Sequence, residues 1–233
     1  MKDFCKDGYV NLITSLKCFG YEYVTFENFS SQYKQIILRH DVDFNLSDAH
    51  KMAQTESKMG VFSTYFFLLG AEFYNLFSKN GKSTLLSIME LGHNIGLHFD
   101  ASVYDKDEIK SKILYERGVL QDHIETPVNV FSFHRGETTY LNTQNGYFGM
   151  GSAYDKQFFS DIGYCSDSEG RWRHHHPLTH PCVQEKKSLQ LLIHPIWWSS
   201  GKQVSPSQKL LSLHHEMSST GLASIKANTR VIS

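Results

Sequence analysis

Two aspartates one residue apart, Asp41 and Asp43, close an apolar run in the segment QIILRHDVD at 35–43. On an extended strand, residues two apart point to the same side, about 6–7 Å from each other. Both carboxylates can therefore face one cavity, where one holds a cation and the other takes a proton from a water that the cation acidifies. An isolated Asp-x-Asp reads equally well as a solvated turn. Against that reading stand three histidines in matching positions: His98 after NIGL, His134 after VFSF and His194 after LQLLI. Ser166, Asp167 and Ser168 follow a further short run in the same way. A core strand has no packing reason to finish on ionisable residues, because a buried charge is costly unless it is paired or metal-bound. Asp43, His98 and His134 together offer one carboxylate and two imidazoles. That donor set suits a divalent transition metal, zinc first, with cobalt, nickel or iron as alternatives, better than the all-oxygen shells of magnesium and calcium.

The elements that must position these residues are legible as alternating patterns. Segments 35–43, 61–69, 93–100, 127–134, 162–168 and 188–194 read as strands. Residues 46–59 read as a helix stopped by Gly60, 83–91 as one closed by Gly92, and 105–124 as the longest helix. The last helix is 205–217, entered through Ser205-Pro206. The first 30 residues are expected to give a helix and a capping strand. Strands alternating with helices imply an α/β fold with a mostly parallel sheet, open or closed into a barrel. Such sheets carry their sites at the carboxyl ends of the strands.

The chain of 233 residues fits one domain, with no repeat and no Ser/Gly-rich linker. Its formal charge of −1 gives no basic footprint for nucleic acid. The four cysteines, Cys5, Cys18, Cys165 and Cys182, include no CxxC pair, which removes zinc ribbons and thioredoxin-like chemistry. No signal-peptide pattern and no membrane-spanning run occur, so the expected location is cytoplasmic. Of 13 histidines, His174, His175 and His176 form one run that reads as a solvated loop, and His214 and His215 read as a polar helix face. His40 faces away from Asp41 and reads as structural; His93, after Gly92, reads as a partner of a helix dipole.

The ordered motifs RHDVD (39–43), GHNIGLHFD (92–100), FSFHRG (131–136), SDSEGRW (166–172) and LLIHP (191–195) resemble those of the polysaccharide deacetylase family, the NodB-homology carbohydrate esterases. The combination of RHDVD, GLHFD, FSFHR and HPxWW is similar to a divergent branch associated with bacterial surface-polysaccharide gene clusters. The resemblance implies a distorted (β/α) barrel of about seven mostly parallel strands, with the motifs within 35–198 and residues 1–34 as an N-terminal extension. It implies a metal-dependent hydrolase that removes an N-acetyl or other N-acyl group from a sugar or glycan. Asp41 is then the base, His194 the acid and Arg135 the residue that pairs with and orients Asp41. Asp43 and His98 hold the metal.

The chain departs from the family pattern in three places. Val42 separates the two aspartates, Gly136 stands where a proline is usual, and Ser102 replaces the second histidine of the second motif. The third ligand is therefore expected to be His134, with Asp100 as the alternative. Asp100, Trp172, Trp197 and Trp198 are expected to contact the sugar, the tryptophans by stacking; for Trp198 core packing is an equal expectation. Two competing readings remain: a catalytically eroded carbohydrate-binding relative, and a deformylase or other amidase on the same scaffold.

Overall fold

The computed structural model describes residues 3–31, 34–135 and 149–229. Gly136 lies outside them. The chain opens with α1 (Lys6–Cys18) and β1 (Glu22–Val24), then runs through β2 (Gln35–Val42), α2 (Leu46–Lys58), β3 (Thr64–Leu68), α3 (Lys79–Glu90), β4 (Asn94–Asp100), α4 (Ile109–Ile124) and β5 (Val130–His134). It continues with β6 (Gly151–Ser152), α5 (Lys156–Phe159), β7 (Gly163–Ser166), α6 (Pro181–Gln184), β8 (Leu189–Ile193) and α7 (Pro206–Asn228). The sheet order is β6-β5-β4-β3-β2-β8-β7, every pairing is parallel, and β1 adds to the start of β2. The seven strands of this path form a curled half-barrel with helices outside, the α/β NodB-like distorted barrel expected from the motifs. Among the described residues no strand pairing joins β6 to β7, the two ends of the order.

The twofold period of a strand divides each one between two layers. Leu38, His40 and Val42 of β2, Tyr65 and Phe67 of β3, Leu97 and Phe99 of β4 and Leu191 and Ile193 of β8 point outward, where all but His40 join the main apolar core beneath the helices. Ile37, Phe66 and Val130 point inward and, with Val24, Phe26, Ala153 and Phe158, fill the barrel floor. Gly96 belongs to this inner layer. A Cβ there would lie 2.5 Å from the Phe66 ring, so only glycine lets the ring cross β4 and leave the space above it to polar residues.

Local signals set where the strands hand over to helices. Asn45 caps α2, its side chain accepting from the Ser47 and Asp48 amides at 2.8 and 3.4 Å, so the chain turns within two residues of Asp43. Ser78 caps α3, which begins four residues earlier than its apolar pattern indicates. The last helix runs on to Asn228, well past 217. Residues 1–34 are not an appendage in their described part: Tyr9, Leu12, Ile13 and Leu16 of α1 sit in the main core.

His40 and His93 meet on the outer face around one carboxylate. Glu56 of α2, fully buried, pairs with His40 Nε2 at 2.7 Å and accepts from Ser63 at 2.7 Å, from Tyr65 at 3.0 Å and from the Tyr9 hydroxyl. His93 lies 2.9 Å from Ser63 Oγ and donates from Nε2 to the Ala53 carbonyl at 3.0 Å. His93 is thus a buried tie between α2 and the sheet rather than a partner of a helix dipole. Burial opposes ionisation of Glu56, but His40 and its other donors hold its carboxyl below the usual range. Glu56→Ala would strand these partners without a charge and is expected to cost about 3–5 kcal/mol of stability, read as a lower urea midpoint.

Candidate active site

The inner layer turns polar above Phe66, and the strand ends bring five titratable side chains to one cavity of about 430 Å³. β2 supplies Asp41 and, just past its end, Asp43; β4 supplies His98, β5 His134, and the residue after β8 is His194. The volume lies within the range of small-molecule sites. Phe44, Tyr154 and Trp197 form much of its apolar wall, with Leu210 of α7 at the rim.

Asp43, His98 and His134 meet as a triad whose ligand atoms all lie within 4.8 Å of one another. Asp43 Oδ1 lies 3.2 Å from His98 Nε2 and 3.3 Å from His134 Nδ1, and those two nitrogens are 3.2 Å apart. Asp43 Oδ1 is buried and takes no well-formed hydrogen bond. A buried carboxylate oxygen facing two converging imidazole nitrogens is what a divalent transition metal fits. Ser132 Oγ, 2.7 Å from His98 Nδ1, occupies the ring's other nitrogen and leaves Nε2 as the donor, the usual arrangement behind a metal-binding histidine. Burial opposes the charge on Asp43, but the neighbouring His134 and His98 imidazoles, with His194 beyond them, hold its carboxyl far below the usual range.

The alternative third ligand, Asp100, is turned away. Its Oδ1 accepts from the Ser102 amide at 2.9 Å and the Ser102 hydroxyl at 2.6 Å, capping the short 3₁₀ turn at 101–103. It does not line the cavity, where the sequence places it against the sugar. Ser102 is therefore half of a turn cap, and the second imidazole comes from the neighbouring strand through the register Asp100↔His134.

Asp41 is held by Arg39, not by Arg135. Arg39 Nε and Nη2 donate to the two Asp41 oxygens at 2.8 and 2.7 Å, a fork-to-fork pair that is wholly buried. Gln190 Oε1 accepts from Arg39 Nη1 at 3.2 Å and Tyr154 Oη from Nη2 at 3.0 Å, so every face of the guanidinium is engaged. Arg135 is exposed at the cavity mouth, with a positive φ of 57°, and its expected pairing with Asp41 is replaced by this one. Burial raises the Asp41 pKa, but Arg39 outweighs it and keeps the carboxyl below its ordinary range, ionised at neutral pH. Arg39, Asp41 and Asp43 are two residues apart on one strand face, the same spacing that places the aspartates. Arg39→Met is expected to lower kcat about 10²-fold or more with metal content kept, and Arg39→Lys to restore little, because an ammonium lacks the planar fork. Steady-state kinetics beside metal analysis checks both.

His194 is oriented by Asp167, which sequence reasoning placed at a strand end without a role. Asp167 Oδ1 lies 2.6 Å from His194 Nδ1, and both carboxylate oxygens accept from the His194 amide, at 3.0 and 3.1 Å. Its Oδ2 also accepts from Trp198 Nε1 at 2.6 Å. His194 Nε2 is left facing the cavity, 3.7 Å from Asp43 Oδ2. Burial disfavours the imidazolium, but Asp167 outweighs it, with help from Asp43 and Asp41, and pushes the His194 pKa up to about 9.

The three tryptophans separate. Trp197 lines the cavity. Trp198 is buried, packed 4.9 Å from the Phe4 ring and tied to Asp167, so it supports the acid and offers no stacking face. Trp172 lies against Phe4 and Trp198 and donates to Asp3 at 3.2 Å, outside the cavity lining. Phe44 and Tyr154 were missed as wall residues; Phe44, next to Asp43, carried a proximity signal, whereas Tyr154 follows a two-residue strand with no apolar pattern.

No family model matches the chain, and no curated protein matches it. Solved structures do resemble it. A family 4 carbohydrate esterase from Bacillus anthracis is 17% identical, with a TM-score of 0.46, over 91% of this chain and 86% of that one. The peptidoglycan deacetylase PdaC from Bacillus subtilis is 12% identical, with a TM-score of 0.47, over 83% and 98%. A CE4 family pseudoenzyme from Bacillus anthracis is 13% identical, with a TM-score of 0.43, over 86% and 69%. Likeness of this extent assigns no role to any residue; the roles rest on the geometry of the site.

Proposed function

We propose that the protein is a divergent polysaccharide deacetylase, a metal-dependent hydrolase that removes an N-acetyl or other N-acyl group from a sugar in the building of a bacterial surface glycan. One observation carries the reading: the Asp43–His98–His134 triad lies between an ionised carboxylate and an imidazole biased towards its charged form. Asp41 Oδ2 is 3.7 Å from His98 Nε2 on one side, and His194 Nε2 is 3.7 Å from Asp43 Oδ2 on the other. A pure binding module needs neither a base nor an acid.

Asp43, His98 and His134 would hold a divalent cation, which when bound would supply Lewis-acid polarisation of the amide carbonyl and acidify a water at the site. Asp41, fixed by Arg39, takes the proton that the water gives up as its oxygen adds to the carbonyl carbon. Its weak basicity suits a partner whose own acidity is raised. His194 delivers the proton from Nε2 to the amine nitrogen as the C–N bond breaks, and Asp167 steadies the imidazolium through Nδ1. Trp197 and Phe44 wall the cavity and offer apolar faces to a sugar ring. The chain carries a formal charge of −1, and no helix among the described residues is long and apolar enough to cross a membrane.

The test is release of free amine and carboxylate from N-acetyl and N-formyl sugars by metal-loaded protein. Equal amounts of acetate and amine are expected from the N-acetyl sugar. Formate release alone would make it a deformylase on the same scaffold. No release from any N-acylated sugar, with metal bound, would leave a sugar-binding relative.

A further inference from the structure

The catalytic cavity does not end at its own walls. A second cavity of about 410 Å³ shares Tyr154, Tyr164 and Ser168 with it. It lies along the seam at the two ends of the sheet order, between Tyr154 after β6 and Tyr164 and Ser166 of β7. Aromatic rings fill the gap that strand pairing leaves: Phe159 lies 5.4 Å from Tyr154 and 4.8 Å from Tyr164, centroid to centroid. Among the described residues, this seam offers a substrate seated at Asp43 a lined way of extending further into the protein's surface.

The far end of that seam carries one guanidinium and two imidazoles. Arg173, His174 and His175 line it, and no carboxylate does among the described residues. The nearest acid on the same loop is Glu169, which is shared: Arg171 reaches it at 2.8 Å and Arg173 at 2.7 Å. One carboxylate between two guanidiniums leaves a positive charge in excess. Ser166 and Ser168, whose hydroxyls are 2.6 Å apart, add neutral donors between the far end and the catalytic cavity. Planar guanidinium, imidazole N–H and serine hydroxyl are the groups that recognise a phosphate, with its several acceptor oxygens.

We propose that the second cavity is a subsite for a phosphate group borne by the sugar substrate, so that the enzyme acts on a phosphorylated or nucleotide-linked N-acyl sugar in preference to an uncharged glycan. The histidine run at 174–176 then has a use in its first two members. His176 is occupied otherwise: its Nδ1 accepts from the Leu178 amide at 3.2 Å and its Nε2 lies 3.4 Å from Asp3. The inference rests on the deacetylase reading for its catalytic half, while the anion subsite is testable by binding alone.

The experiment has two arms. In the first, metal-loaded protein is given N-acetylglucosamine 1-phosphate, the uridine diphosphate sugar and the uncharged tri-N-acetylated chitotriose, and amine release is followed. A preference of about tenfold or more in kcat/KM for a charged substrate is expected, and it should collapse in Arg173→Gln/His175→Gln protein, the size of effect that follows from losing charge-assisted hydrogen bonds at an open site. The 1-phosphate preferred over the nucleotide sugar assigns a simple sugar phosphate; the reverse assigns a nucleotide-linked one. In the second arm, the same three compounds are titrated calorimetrically into Asp41→Asn protein. Binding of a charged sugar that depends on Arg173 and His175, with no turnover of anything by the wild type, would keep the subsite and overturn the deacetylase reading. Equal handling of chitotriose and the charged sugars, or a preference unchanged in the double variant, would overturn the subsite.

Discussion

Asp43→Ala protein should come off a metal-free column with its bound transition metal reduced from about one per chain to background, and deacetylation should fall to the uncatalysed level. The same result is expected for His98→Ala and for His134→Ala. The reason is in the geometry: each donor faces the other two at 3.2–3.3 Å, and removing any one leaves a two-donor site. Asp100→Ala is the informative contrast. Asp100 spends its carboxylate on the turn at 101–103, so its loss should loosen that turn and leave the metal in place. Metal analysis of the four variants separates His134 from Asp100 as third ligand without reference to activity. Ser132→Ala should fall between, with metal affinity weakened about 10–100-fold, because the His98 ring loses the partner that fixes its orientation.

His194→Ala is expected to cost about 10²–10⁴-fold in kcat with metal retained, the range for removal of a general acid. Asp167→Asn should come close to it. The amide would still fill the space, but it takes away the charge that raises the His194 pKa to about 9 and supports the proton on Nδ1. The sign follows directly. His194 works in its protonated form, and Asp167 pushes its pKa up, so wild-type activity is lost as pH rises through about 9. In Asp167→Asn that alkaline limb should move to lower pH. A pH profile of kcat for wild type and variant reads the shift, and metal content on the same samples excludes loss of the triad as its cause. Trp198→Phe removes one donor to Asp167 and should shift the limb the other way, since the carboxylate is then less satisfied and holds the imidazolium more strongly.

The parts of this site that were legible in the sequence are those at fixed spacing from an apolar run. Asp41 and Asp43 follow from strand periodicity, and His98, His134 and His194 from their place where parallel strands end. The seven-strand half-barrel was legible from the ordered motifs, whereas β6, only two residues long, has no periodic pattern to show. What the sequence concealed are the partners. Arg39 satisfied the same spacing argument as the aspartates, but a charge in the middle of a buried strand reads as a misfit until Gln190 and Tyr154 are seen around it. Asp167 and His194 directly follow adjacent strands, β7 and β8, and only the register brings their side chains together. Arg135 and Trp172 have the right residue types in the right motifs, yet the backbone aims one to the surface and the other at Phe4. Residue type fixed the chemistry available; tertiary register decided which copies of it were used.

The most direct test of the central claim is one set of samples measured twice: metal content, and amine release from an N-acetylated sugar, for wild-type and Asp41→Asn protein. Wild type should carry about one transition metal per chain and turn over, while Asp41→Asn should carry the same metal and lose about 10²–10⁴-fold in kcat. A wild-type protein that binds sugar without metal, or an Asp41→Asn protein as active as wild type, would contradict the account.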